Sequence, residues 1–257
     1  GTGRHGEAVE AFGRALGIEP GNPVTLRRRG ASLLALRKIP EAIADLEKAT
    51  GIAPGDAGGW LDLGTAQIRG GFFDTAAASL GRSLALDPGN PRAWCASGLA
   101  LARLGRPEEA AEAFGRALAV DEGLEAAWFQ LGLCEEGLGR YEEAVEAFRR
   151  GLKIDVRNEE AWYHAGGALY HLGREEEALR AFERATKLSP RDPRPWYNEG
   201  CIFSERGQFE QAVAAFDRAL EADPTLGKAL EEALDLRKQK GDHDGAERLL
   251  QMQLEQA

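Results

Sequence analysis

Cysteine is scarce in this chain. Cys95, Cys134 and Cys201 are an odd number at spacings of 39 and 67, which matches no disulfide framework and contains no CxxC pair. A reducing compartment, the cytoplasm, is the expected home. Histidine is as sparse: His5, His164, His171 and His243 are the whole supply. His164 and His171 fall seven residues apart on one helical stretch, about 10 Å along its axis, too far to share a zinc without a further element folding over them. No metal is expected. Long apolar runs are missing as well; none approaches the roughly 20 residues that cross a bilayer, and no basic-then-apolar leader stands at the start. No membrane partner is expected.

Positive charge is the next shortage. Lysine and arginine number 32 against 42 acidic residues, a net charge of −10. Residues 1–90 hold ten of each sign, so the deficit lies wholly in 91–257, with 22 basic and 32 acidic residues. Such a balance disfavours a nucleic-acid backbone as the ligand. Catalytic signatures are wanting too: there is no GxSxG, no P-loop and no HExxH. The opening GTGRHG fits GxGxxG formally, but no strand precedes it to aim its amides at a pyrophosphate. Carboxylate pairs such as Glu108-Glu109 and Glu175 to Glu177 read as solvated helix starts. Neither an enzyme nor a cofactor is expected.

What the chain does have is a period. Trp60, Trp94, Trp128, Trp162 and Trp196 are spaced at 34, and a glycine follows each by four residues at Gly64, Gly98, Gly132, Gly166 and Gly200, with Gly30 one period earlier. Ala8, Ala42, Ala76, Ala110, Ala144, Ala178, Ala212 and Ala246 run the full length without an insertion. Four residues after each stands Phe12, Leu46, Leu80, Phe114, Phe148, Phe182, Phe216 or Leu250. Proline closes most units, with Glu122 and Val156 in the two slots that lack it; a mid-unit glycine recurs at Gly3 and from Gly71 to Gly241, with Arg37 the exception. Fixed self-similarity of this length decides the architecture by itself.

Each unit holds two short amphipathic helices. Trp128, Leu131, Gly132 and Glu135 fall at i, i+3, i+4 and i+7, and Ala144, Phe148, Gly151 and Leu152 do so on the second helix. The glycine at 139 is expected to end one helix in the left-handed conformation, and Glu142 and Glu143 to sit at the positive end of the next. Gly132 is expected to face Ala144, with Trp128 and Phe148 filling the space around them, and Cys134 to be inert core.

W-x-x-L-G, then alanine and a large apolar residue four apart, then proline, on a strict period of 34, resembles the tetratricopeptide repeat family over the whole chain. Pentatricopeptide repeats have a different period and pattern, and the acidic balance disfavours their RNA ligands. The resemblance implies an all-α fold, a right-handed α-solenoid of stacked helix-turn-helix units whose first helices line a concave groove. A single solenoid over 1–257 is expected: a lone second helix in 1–22, full repeats 23–56, 57–90, 91–124, 125–158, 159–192 and 193–226, and a capping repeat 227–257. One pair cannot bury its apolar face alone, so neighbours supply the core. In the last unit Leu230 replaces tryptophan, and Lys228, Glu231, Glu232, Asp235, Arg237, Lys238 and Lys240 make its first helix polar, as a cap should be. At the other end Val9, Phe12 and Leu16 lack a preceding helix; either the natural protein continues upstream, or this face meets a second copy end to end.

Function then rests on the first-helix slots that the core leaves free. Those slots hold Arg27 and Arg28, then Leu61, Asp62 and Thr65, then Cys95, Leu99 and Arg103, and turn acidic at Glu231, Glu232 and Asp235. Between these lie Phe129, Gln130, Leu133, Tyr163, His164, Tyr170, His171, Tyr197, Asn198 and Cys201, a stripe of aromatic and polar residues. Gly167 removes a side chain beside Tyr163 and Tyr170. The family's chaperone-binding carboxylate clamp and its asparagine ladder are both absent from these slots. Rigid amphipathic rings are efficient contact residues. The expected function is a non-enzymatic scaffold that holds a peptide or helix of a protein partner in the groove. Two alternatives stand beside it: a substrate-docking arm of a larger enzyme, and a module for end-to-end self-association. The bland account of the same rings is that they pack on one another across adjacent helices.

Overall fold

Many helix ends fall at residues that favour them. The structure, a computed structural model, describes residues 2–246 and 249. Fourteen α-helices lie whole among them, with further helical residues at 243–246: α1 (Thr2–Ile18), α2 (Pro23–Ala35), α3 (Ile39–Ile52), α4 (Ala57–Arg69), α5 (Phe73–Leu86), α6 (Pro91–Arg103), α7 (Pro107–Val120), α8 (Glu125–Gly137), α9 (Tyr141–Ile154), α10 (Glu159–His171), α11 (Glu175–Leu188), α12 (Pro193–Glu205), α13 (Phe209–Ala222) and α14 (Gly227–Lys240). Side chains of Asn22, Asp56, Asn90, Asn158 and Asp192 cap the first helices α2, α4, α6, α10 and α12 by accepting from backbone N–H groups in the first turn, while Leu124 and Leu226 at the starts of α8 and α14 give no such bond. Gly71, Gly105, Gly139, Gly173, Gly207 and Gly241, one period apart, take φ between 69° and 79° and stop those helices. Arg37 occupies the same left-handed turn at φ 58° without glycine's freedom. Gly3, which the pattern sets in this series, lies inside α1. Leu250 and the end of the 227–257 unit fall outside the described residues.

The chain forms two compact units, residues 1–138 and 139–257. In the first, each of α1 to α7 packs on the helix that follows it; in the second, each of α9 to α13 does the same. First helices of successive pairs also touch each other, α2 with α4, α4 with α6, α6 with α8, and, in the second unit, α10 with α12. No comparable contact joins successive second helices among the described residues. Each unit therefore has an inner face made of first helices and an outer face made of second helices, the arrangement of an α-solenoid.

The core differs from the expected one in a single respect. Phe114, Phe148, Phe182, Phe216, Leu46 and Leu80 are among the large residues that are almost wholly buried, while the tryptophans stay half-buried. The repeat glycine faces that large residue: a Cβ on Gly98 would lie 2.8 Å from the Phe114 ring, and one on Gly166 or Gly200 2.6 Å from Phe182 or Phe216; one on Gly30 would meet Leu46 at 2.9 Å and the Ala42 carbonyl at 3.4 Å. A flat ring seated on bare backbone is how the two helices of a pair approach so closely. Each indole N–H instead reaches back six residues to a carbonyl: Trp60 to Pro54 (2.9 Å), Trp94 to Pro88 (2.8 Å), Trp128 to Glu122 (2.9 Å), Trp162 to Val156 (2.8 Å) and Trp196 to Pro190 (3.3 Å). The ring pins the inter-repeat loop to the following helix, and because the acceptor is backbone, Glu122 and Val156 serve as well as proline.

At the ends, Leu16 is covered after all, packed with Leu26 and Ala49, so that α2 and α3 shield α1 from one side. Arg237 of the polar α14 turns inward to form an ion pair with Asp217 at 2.5 Å.

Candidate binding faces

The inner face of the second unit is built by α10 and α12. Tyr163 lies under the guanidinium of Arg194, 4.6 Å from its ring centre, and meets the edge of His164 at 5.2 Å and Phe182 at 6.1 Å. Arg194 is held there by Asp192 (2.7 Å) and, across the helix pair, by Glu160 (2.6 Å). His164 also approaches Glu160 (3.8 Å) and Phe148 (5.9 Å). The Tyr170 hydroxyl donates to Glu205 at 2.5 Å, and that bond to a carboxylate, more than burial, pushes its phenol up to about 12. His171 is exposed and stacks on Tyr141 at 4.6 Å. Tyr197 tilts against Phe216 at 5.7 Å; burial and the neighbouring Cys201 raise its phenol to about 12, and burial raises the Cys201 thiol in turn. The side chain of Asn198, half-buried on α12, makes no hydrogen bond among the described residues.

The sequence-derived stripe is thus divided. Tyr163, His164, Tyr170, His171, Tyr197, Asn198 and Cys201 share the inner face of the second unit, whereas Phe129, Gln130 and Leu133 are half-buried on α8 of the first. Most of the aromatic groups already have partners within the protein. In the first unit the free-slot residue Arg27 is likewise occupied, with both Asp62 (2.8 Å) and Asp56 (2.7 Å) on its guanidinium. Cys134 is buried and its thiol is pushed up to about 11, chiefly by burial.

The outer face holds what the free-slot reading missed. In the second unit a cavity of about 430 Å³ opens between α9 and α11, over Trp162, Ala165 and Leu169 of α10, with Val145 and Leu152 in its walls. Arg149, Lys153, Arg180 and Arg184 stand at its rim. Smaller cavities of about 360 and 350 Å³ repeat the arrangement over Trp60 and Trp94 in the first unit. There Arg82 and Arg116 lie on the indole faces, at 4.6 and 5.2 Å. Arg184 stands one or more whole periods from both, yet no cation covers Trp162 among the described residues. Basic pairs at i, i+4 on consecutive second helices were the available sequence signal. No group of three or more His, Cys, Asp or Glu residues is placed to hold a metal ion, and no helix is long and apolar enough to cross a membrane, among the described residues.

Family models described as tetratricopeptide repeat match residues 1–57, 61–125, 95–159 and 137–193, and a second such model matches 193–226. The chain belongs to the tetratricopeptide repeat family. Among solved structures, this tetratricopeptide repeat protein is similar in fold to the C-terminal part of a TPR repeat-containing protein from Cytophaga hutchinsonii, with a TM-score of 0.75 at 16% identity, covering 89% of this chain and 94% of that one. It is also similar to MamA (TM-score 0.62, 23% identity, 65% of this chain and 97% of that). A third likeness is to YrrB, a TPR protein with an unusual peptide-binding site (TM-score 0.63, 20% identity, 78% of this chain and 99% of that). No curated protein sequence matches it. The family is one of repeat scaffolds.

Proposed function

We propose that this chain is a non-enzymatic scaffold that holds an extended peptide segment of a protein partner on the inner face of α10 and α12. The observation that carries the reading is Asn198. It is a half-buried carboxamide without a hydrogen-bond partner among the described residues, flanked on its helix by Tyr197 and Cys201. A carboxamide offers one acceptor and two donors, the complement of a peptide bond, and this one is not engaged by the protein's own groups, so a ligand backbone can take it up. Tyr163 and Tyr197 are fixed by Arg194 and by Phe216, so a ligand would meet rings that are already ordered. The carboxylates of Glu205 and Glu232 lie near Cys201 on this face, which favours a segment carrying lysine or arginine. That YrrB, a protein of the same fold, has a peptide-binding site supports the class of ligand but not the residues.

The test is an array of basic and neutral peptides probed with the parent chain and with an Asn198→Ala, Tyr197→Ala double variant. The reading expects peptides held by the parent to be lost from the variant by about tenfold in affinity or more. Equal retention by both proteins would remove the α10–α12 face from the binding site.

A further inference from the structure

The outer-face cavity over Trp162 is distinct from the inner face and is unlike its counterparts. Its walls and floor are apolar and buried at Val145, Leu152, Ala165 and Leu169, with no cation over the Trp162 ring among the described residues. Along one bank Arg149 and Lys153 stand one helical turn apart on α9; along the other, Arg180 and Arg184 do the same on α11. Lys153, Arg180 and Arg184 make no ion pair among the described residues, and Arg149 has only a long contact, 3.6 Å, with Glu146. The one acid at the rim, Glu177, is already bound by Arg174 at 2.7 Å. A chain of net charge −10 has abundant carboxylates to neutralise these four cations internally. It leaves them instead around an apolar opening.

We propose that this cavity is a second binding site, on the face opposite the groove, for an acidic protein segment that inserts one large apolar side chain over Trp162. Charge decides the sign of the partner, since cations held beside a dry, low-dielectric wall attract anions more strongly than they would in open solvent. Their layout decides its kind. Two cations on each bank, about 6 Å apart along the helix axis, match carboxylates distributed along a chain. A single headgroup, as on a fatty acid, would engage one end of one bank. The volume, about 430 Å³, exceeds what one apolar side chain needs and leaves room for its flanking backbone. In the first unit Arg82 and Arg116 lie on Trp60 and Trp94, so the corresponding indole faces are taken by the protein's own cations. Only over Trp162, among the three cavities, are the ring and the cations both available.

The experiment uses fluorescence anisotropy of a short labelled peptide in which glutamates flank one phenylalanine. Two charge-reversal variants are compared with the parent, Arg180→Glu with Arg184→Glu on one bank, and Arg149→Glu with Lys153→Glu on the other. All four side chains are at the surface, and circular dichroism confirms that both variants keep the parent's helix content before binding is read. The proposal expects each variant to lose tenfold or more in affinity, binding by the parent to weaken steeply with salt, and a peptide with serine in place of phenylalanine to bind as weakly as the variants. Loss from one bank alone, binding of a labelled fatty acid in place of the peptide, or equal binding by parent and variants would each overturn it. The inner-face variant Asn198→Ala is expected to bind this peptide normally, so the two sites are judged separately.

Discussion

Glu199 sits where the repeat calls for leucine. In W-x-x-L-G its slot is filled by Leu63 and Leu131 in two other units, yet here a carboxyl on α12 is only 8% exposed and its Oε1 has no hydrogen-bond partner among the described residues. Burial, reinforced by the nearby carboxylate of Glu183, pushes its pKa up to about 7. The sign follows from linkage. A folded-state pKa above the unfolded value means that the native state holds the proton more tightly, so stability is complete below the unfolded pKa and is lost as pH rises through 7. With 4.5 as the starting value, the difference approaches about 3 kcal/mol once the group is ionised, at about 1.4 kcal/mol for each pKa unit. Replacing Glu199 by Gln, the neutral isostere, or by Leu, the residue the repeat expects, is therefore expected to stabilise the protein at about pH 8 by up to that amount and to do little near pH 5. Because neighbouring repeats unfold as coupled rather than all-or-none units, the assay is hydrogen exchange over α11 to α13, read at several pH values alongside urea melts. A difference between Glu199→Gln and the parent that stays flat from about pH 5 to about pH 8 would refute the reasoning, since it would mean that water or a cation reaches the carboxylate.

Two further predictions concern the repeat itself. Arg37 holds a left-handed φ of 58° at a position where six other units use glycine, so Arg37→Gly is expected to raise stability by about 1 kcal/mol, and a thermal melt showing no gain would count against strain at this turn. Phe182 is buried to 1% exposure and rests on Gly166, whereas Trp162 is half-buried and bonded to a loop carbonyl; Phe182→Ala should cost about 3 to 5 kcal/mol and Trp162→Ala clearly less, an order that urea melts of the two variants would check.

Much of the architecture was legible in the sequence because it depends on short-range rules repeated many times. The helix ends follow from Asn or Asp caps and from a glycine able to take positive φ, and Gly139 with the Glu142-Glu143 start shows the rule within a few residues. The rank of the core residues was less legible. Trp128 and Phe148 were expected to fill the space together, but the tryptophan N–H must be satisfied, and its acceptor is a loop carbonyl six residues back. Phenylalanine has no polar atom and went inside.

The candidate sites were legible only as lists of residues. That α10 bears Tyr163 and Tyr170 on one side and Trp162 and Leu169 on the other follows from the 100° step, and so was available from sequence. Which charges are spent and which are free was not. Tyr170 finds Glu205, 35 residues on; Arg206 finds Glu175; Arg27 finds Asp62. Each of these choices is made between side chains about one period apart, among several acids within reach, and depends on rotamers and on the spacing of neighbouring helices. The sequence by itself determined the period, the helices and the composition of the core, because hydrogen bonds to the fourth residue and the burial of a repeated apolar stripe are local and act the same way in every unit. Only the tertiary structure decided that Glu199 is dry, that Asn198 is unpaired and that four cations gather around an indole that none of them covers, because those properties belong to the space between helices.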